Sequence, residues 1–221
     1  MRQIVADREK AFPACSNSQM KKATLLSLGL IGLAVLSIGR LGQAQGPALT
    51  EDQEPRFTAD GQLLNPKNYR DWVFLSSGLG MTYGPLSGAG ATPENPRFEN
   101  VFVNPTAYRS FLKTGLWPEN TILVLEIRAS ASKVSINKNG RVQQDIVGVE
   151  VEVKDSKRFP RRWAFFNVSG DVAAAKPIEA SASCYACHGT NGAVDNTFVQ
   201  FYPTLMKIAR EKGTFHDSAL E

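Results

Sequence analysis

Along residues 146–155, "IVGVEVEVKD", apolar and polar side chains alternate. Val147, Val149, Val151 and Val153 share one face and Glu150 and Glu152 the other, which is the period of a half-buried strand. "FENVFV", "NTILVLEIRAS" and "RRWAFFNV" also read as strands, and the Asn-Gly pair in "INKNGRVQQ" predicts a hairpin turn. Helical signals flank them. "NPTAYRSFLKTG" has Asn104 at the N-cap, Pro105 at the first helical position and Gly115 past the end. "FVQFYPTLMKIAREKG" predicts a last helix with Pro203 near its start and Gly213 at its end. In "NPKNYRDWVFLSSG", Asn65 as cap, Pro66 in the first turn and an apolar side of Trp72, Val73 and Leu75 predict a further helix. "GLGMTYGPLSGAGATPENP", dense in Gly and Pro, predicts a long loop. Strands joined by turns or one short helix imply an α+β fold, a mainly antiparallel β sheet with a few flanking helices. There is no internal repeat.

The start of the chain follows another logic. From Met20 it reads two lysines, an apolar run from Ala23 to Ile38, then small residues at Gly42 and Ala44. That is the layout of an export signal, with cleavage expected after Ala44. The run is short for a membrane span of about 20 residues and is interrupted by glycines. Translation is expected to start at Met20, which leaves Cys15 in a spurious extension without chemistry. Residues 1–44 are therefore read as signal peptide plus extension, 45–56 as a polar, flexible lead-in, and 57–221 as one domain in a periplasmic or secreted protein.

Charge changes the picture once the signal is set aside. The formal charge is +4, but six of the 25 basic and two of the 21 acidic residues precede Gln45. The remainder is formally neutral, which removes the electrostatic case for nucleic acid. The cluster "KRFPRR", Lys157 to Arg162, reads as a solvated turn or as a docking patch for an acidic partner.

Two of the three cysteines stand in "CYACH", Cys184 and Cys187, followed directly by His188. C-x-x-C-H reads as covalent c-type haem attachment. Two thiols three apart reach two vinyl groups on one macrocycle edge, and the next residue brings its imidazole under the iron. Competing readings fare worse. A disulfide over so short a loop is strained. A thioredoxin-like dithiol needs a preceding strand that "KPIEASAS" does not supply. A zinc site needs four ligands, and only His216 is left to join. His188 is thus the expected iron ligand, on one haem c, carried by a C-terminal haem-binding helix. For the other face of the iron, Met81, Met206 and His216 are the candidates; Met206 recurs with Leu205 and Ile208 at core spacing, His216 lies past a helix end, and an open distal site competes with Met81.

The ordered set "PKNYRDWVF", "VFVNPTAYRSFLKTG", "GVEVEVKDSKRF", "WAFFNV", "CYACHG" and "FVQFYPTL" resembles the P-460 cytochromes and the related beta-type cytochromes c′, across nearly all of the exported chain. The resemblance implies a mostly antiparallel β fold, often homodimeric, with one C-terminal c-type haem and a distal site open to small molecules. The P-460 enzymes oxidise hydroxylamine and bond a strand lysine to the haem; alignment through Glu126 puts Leu125 at that position, and the next lysine upstream, Lys113, sits at a helix end. An arginine of the enzyme pocket is replaced at Glu99. The resemblance retains a distal proton-transfer carboxylate as Glu150, against the alternative that Glu150 faces solvent, as Glu152 is expected to. It also implies phenylalanines over the iron, for which Phe98 and Phe102 are the candidates, core packing being the alternative.

The expectation is an exported monohaem cytochrome with an open distal site that binds a small diatomic ligand such as nitric oxide, or transfers electrons with a redox partner protein, or does both. Two alternatives remain: an oxidoreductase of hydroxylamine or nitric oxide using Glu150, and a six-coordinate electron carrier closed by Met81.

Overall fold

The computed structural model describes residues 54–82, 92 and 94–220. The expected export segment, most of the lead-in and most of the Gly-rich loop lie outside the described residues. Among those described, no helix is long and apolar enough to cross a membrane.

The elements run β1 (Leu63–Leu64), β2 (Val73–Leu79), β3 (Phe98–Val103), α1 (Pro105–Thr114), β4 (Ile122–Ala131), β5 (Val142–Lys154), β6 (Trp163–Asn167), β7 (Ala174–Ala175), α2 (Ser183–Asn191) and α3 (Pro203–Glu211). Strands β2 to β6 form one antiparallel sheet in sequence order, and β1 pairs with β7 in a second, two-stranded sheet. The fold is α+β, mainly antiparallel, with helices at its flank.

The segment expected to be a helix from Asn65 is not one. It makes a single 3-10 turn, Tyr69–Asp71, and then enters β2. Val73 and Leu75 do face a core, but at the two-residue period of a strand hydrogen-bonded to β3; pairing with an existing sheet overrides a helix start signal. Asn104 stands at the start of α1 as expected, yet its side chain makes no cap. Its amide instead donates to the Asn120 carbonyl and accepts from the Ile122 amide, tying α1 to β4.

The sheet has an apolar layer on each face. Leu123 joins Phe111 of α1, Leu205 and Ala209 of α3, Trp117 and Trp163 on the helix side. Ile122, Val124, Val151, Val153 and Phe166 form the other layer with Tyr69 and Trp72. The alternation of β5 therefore holds for Val149 to Val153 but not beyond. Ile146 and Val147 are exposed, because the β4–β5 hairpin projects past both layers.

Strand register fixes what lies on the helix face. Leu125 pairs with Val101 on one side and with Glu150 on the other; Leu123 pairs with Glu152, and Glu152 with Phe165. Cross-strand partners share a face. Leu123 is covered by α1 and α3, and from there the row runs on towards the Cys184–His188 segment.

Candidate haem-binding cavity

A cavity of about 350 Å³ opens on this face, within the range of small-molecule sites. Ser76, Val101, Leu123, Leu125, Glu150, Glu152 and Phe165 line it from the sheet; Cys184, Cys187 and His188 line it from α2; Phe198, Phe201 and Tyr202 line it from the segment before α3. The strand face thus meets the C-x-x-C-H segment.

Helix α2 begins at Ser183, so Cys184, Cys187 and His188 fall within two turns. Residues three and four apart share a helix face, which brings both thiols to the same cavity. They are free thiols, and burial pushes the Cys184 thiol up. The His188 ring packs against Phe165 and Phe198, with centroids 4.6 and 4.4 Å away and the rings tilted by 60° and 53°. Its Nδ1 is 3.0 Å from the Asn196 carbonyl and 3.6 Å from Glu152 Oε2. The carbonyl can only accept, so Nδ1 carries the proton and Nε2 is the nitrogen left to ligate a metal. Burial depresses the imidazole pKa, countered by the Asn196 carbonyl and the Glu150 charge. A neutral ring with a free Nε2 is the form that binds iron.

The two glutamates of β5 differ. Glu150 stands at the solvent-reached part of the cavity, where desolvation still raises its pKa and the His188 charge moderates the rise. Glu152 does not face solvent as expected from the alternation. It lies between β4 and β6 under α2, its Oε2 is buried without a hydrogen bond, and desolvation, then the neighbouring Glu150 charge, push its pKa up to about 8.

Leu125 lines the cavity opposite Glu150. Phe98 and Phe102 do not line it. They have the other strand parity: Phe102 pairs with Val124 and packs edge-on against Tyr69 and Phe74 on the far side of the sheet. The cavity positions of β3 are Glu99 and Val101. Met81 does reach the cavity. It lies across β2 at Gly78, where an added Cβ would come within 2.0 Å of the Met81 sulfur. Met206 packs against the helix-side core, and neither His216 nor Lys113 lines the cavity.

Sequence reasoning missed Phe198, Phe201 and Tyr202, which read as the opening of a continuous helix. Val199–Phe201 is instead a separate 3-10 turn before α3. The signal available was Pro203, which disfavours helix in the residue before it.

The residues present fit a c-type haem: two unpaired thiols and an imidazole with a free Nε2 converge on one mostly apolar cavity. No curated protein matches the chain significantly. The family model described as Cytochrome P-460 matches residues 66–199, more than half of the chain and spanning the sheet, the C-x-x-C-H segment and Phe198. The chain therefore belongs to the cytochrome P-460 family and is a haem c protein.

Proposed function

We propose that Cys184 and Cys187 would hold one haem c covalently and His188 would ligate its iron, and that the protein binds a small diatomic ligand such as nitric oxide at that iron. Each thiol adds its S–H across a vinyl group, giving two thioethers. The cofactor supplies an iron that binds neutral diatomic gases and changes oxidation state by one electron. The observation that carries the reading is the apolar wall facing α2. Leu125 and Val101 pair across β4 and β3 there, and no lysine lines the cavity among the described residues. A leucine cannot make the bond to the macrocycle expected of the hydroxylamine-oxidising relatives. Around this apolar pair a neutral gas is favoured over a polar substrate, although Glu99, Glu150 and Glu152 line the cavity beside it. The same iron exchanges electrons with a redox partner protein, and the reading includes export with cleavage after Ala44 and a haem domain over residues 57–221.

Glu150 supports a second reading, an oxidoreductase of hydroxylamine or nitric oxide. Desolvation raises its pKa, which favours its protonated form, and it lines the cavity where a proton would be handed on. Met81 at the wall supports a third, a six-coordinate carrier.

Production in a host that matures c-type cytochromes, followed by absorption spectroscopy, tests these. The first reading expects a five-coordinate ferrous spectrum that changes on addition of nitric oxide, and an intact mass equal to polypeptide plus one haem. A colourless product with titratable thiols overturns it. A red-shifted Soret band favours the enzyme, and a low-spin spectrum lost in Met81→Ala favours the carrier.

A further inference from the structure

Lys154 ends β5 on the helix side and is 5% exposed. Its Nζ donates to Asp195 Oδ2 at 2.5 Å and to the Trp117 carbonyl at 2.6 Å. Asp195 is equally buried, and its other oxygen meets Arg162 at 3.2 Å. A buried ion pair is poor evidence of stability, because desolvation offsets the attraction. This one is better explained by what it holds. Asp195 and Asn196 are the central residues of a tight turn closed by a two-way backbone bridge between Val194 and Thr197. Both have positive φ, 49° and 62°, a conformation costly for side chains with a Cβ.

The turn is tied down from three sides. Lys154 grips Asp195; Trp117 Nε1 donates to the Thr197 hydroxyl, which donates to the Val194 carbonyl; and α2 ends directly against it. A Cβ on Gly192 would sit 2.6 Å from the Asn196 carbonyl carbon and 2.7 Å from the Thr197 nitrogen. The product of this arrangement is the direction of one group, the Asn196 carbonyl, 3.0 Å from His188 Nδ1. Glu152 Oε2, at 3.6 Å, is beyond hydrogen-bond distance.

We propose that the Lys154–Asp195 pair is a positioning device for His188. It locks the 194–197 turn so that the Asn196 carbonyl holds the proton on Nδ1 and leaves Nε2 for the iron. Partners of the non-ligating nitrogen set the orientation and donor strength of a ligating histidine. Lys154 and Asp195 touch neither the ring nor the thiols; they act through the turn. The inference rests on His188 as the iron ligand.

The test uses the haem-loaded protein with Lys154→Met and, separately, Asp195→Asn, the milder change. Both variants are expected to shift the ferrous iron–histidine stretching band to lower frequency and to raise the reduction potential, because the ring loses the acceptor that polarises Nδ1–H. Lys154→Arg is expected to restore both towards the original values. Phe102→Leu, which weakens the packing against Tyr69 and Phe74 on the far face of the sheet, is expected to move neither. Band and potential unchanged in a clip variant with normal haem content overturn the inference and leave the haem reading standing. A wild-type product without haem overturns that reading instead. Nitrogen NMR of His188 in that product still decides the inference: one Nδ1–H tautomer in the wild type and a mixture in Lys154→Met support it, the same tautomer in both overturns it.

Discussion

Leu125 and Glu150 are cross-strand partners on β4 and β5, and both line the cavity. An apolar side chain beside the carboxyl leaves desolvation as the leading influence on Glu150, so its pKa is raised. Leu125→Lys would put a lysine at a cross-strand partner position, where Cβ atoms lie about 4.5–5.5 Å apart, so that its ammonium can reach the Glu150 carboxyl. The pKa of Glu150 is then expected to fall, because a nearby positive charge favours the ionised carboxylate. A pH titration followed by absorption reads the shift as a lower midpoint of any step lost in Glu150→Gln. An unmoved midpoint contradicts the assigned register. Intact mass of the same variant shows whether the new lysine bonds to the cofactor.

Glu152 predicts a dependence of stability on pH. Its pKa in the folded chain, about 8, lies above the unfolded value of 4.5. The folded state therefore binds more protons than the unfolded one between these values. Stability falls as pH rises from about 4.5 to about 8, and is flat in this respect outside that window. Glu152→Gln removes the burden of ionisation. The variant is expected to gain several degrees in Tm at pH 9 relative to the wild type, and to match it near pH 4. Thermal unfolding at the two pH values checks this, and an equal effect at both would contradict the burial of the carboxyl.

Two phenylalanines on opposite sides of the sheet give a third prediction. Phe102 packs with Tyr69 and Phe74 away from the cavity, whereas the Phe198 ring lies 4.4 Å from that of His188. Phe102→Ala is expected to cost about 3 kcal/mol of stability, the low end for such a truncation because Phe102 is only partly buried, and to leave the visible spectrum unchanged. Phe198→Ala frees one face of the imidazole and is expected to alter the spectrum at a similar cost. A spectral change in Phe102→Ala alone would place the cofactor on the wrong side of the sheet.

That contrast marks what could be read without coordinates. The Cys184–Cys187–His188 spacing is local and covalent in logic, so it was legible. So were β3 to β6 and α1, whose periods and caps are local too. Which face of β3 looks at the cavity depends on pairing Val101 with Leu125 and Leu125 with Glu150, and a strand shows both faces equally in its own sequence. Hence Phe98 and Phe102 were candidates although Glu99 and Val101 take the positions. The burial of Glu152 was illegible for another reason: it is imposed by β6 and α2, about ten to forty residues downstream. The turn at Asp195 was hidden because its partner, Lys154, reads as an ordinary strand-end cation.

Glu126 carries the last prediction. It follows Leu125 on β4 and so points to the face away from the cavity, where it is 2% exposed. The Tyr69 hydroxyl and Arg70 each donate to Oε2 at 2.5 Å, and Arg128 and Asn100 donate to Oε1 at 2.5 and 3.1 Å. Burial alone would raise its pKa, but the bonds from Arg128, Tyr69 and Asn100 outweigh it and hold the carboxyl below its usual 4.5. A depressed folded pKa contributes stability above the unfolded value, and loses it as pH falls through the folded one. Glu126→Gln keeps the shape but leaves Arg128 without its counter-charge. The variant is expected to lose about 3 kcal/mol at pH 7, the low end for breaking a buried pair, since Arg70 is half exposed. Its stability should also fall less steeply than that of the wild type below pH 4.5. Because the carboxyl sits across the sheet from His188, the absorption spectrum and ligand response are expected to stay unchanged. Denaturant unfolding at pH 7 and pH 3.5 measures both quantities, and parallel acid limbs for the two proteins would contradict a charged Glu126 at the centre of this network.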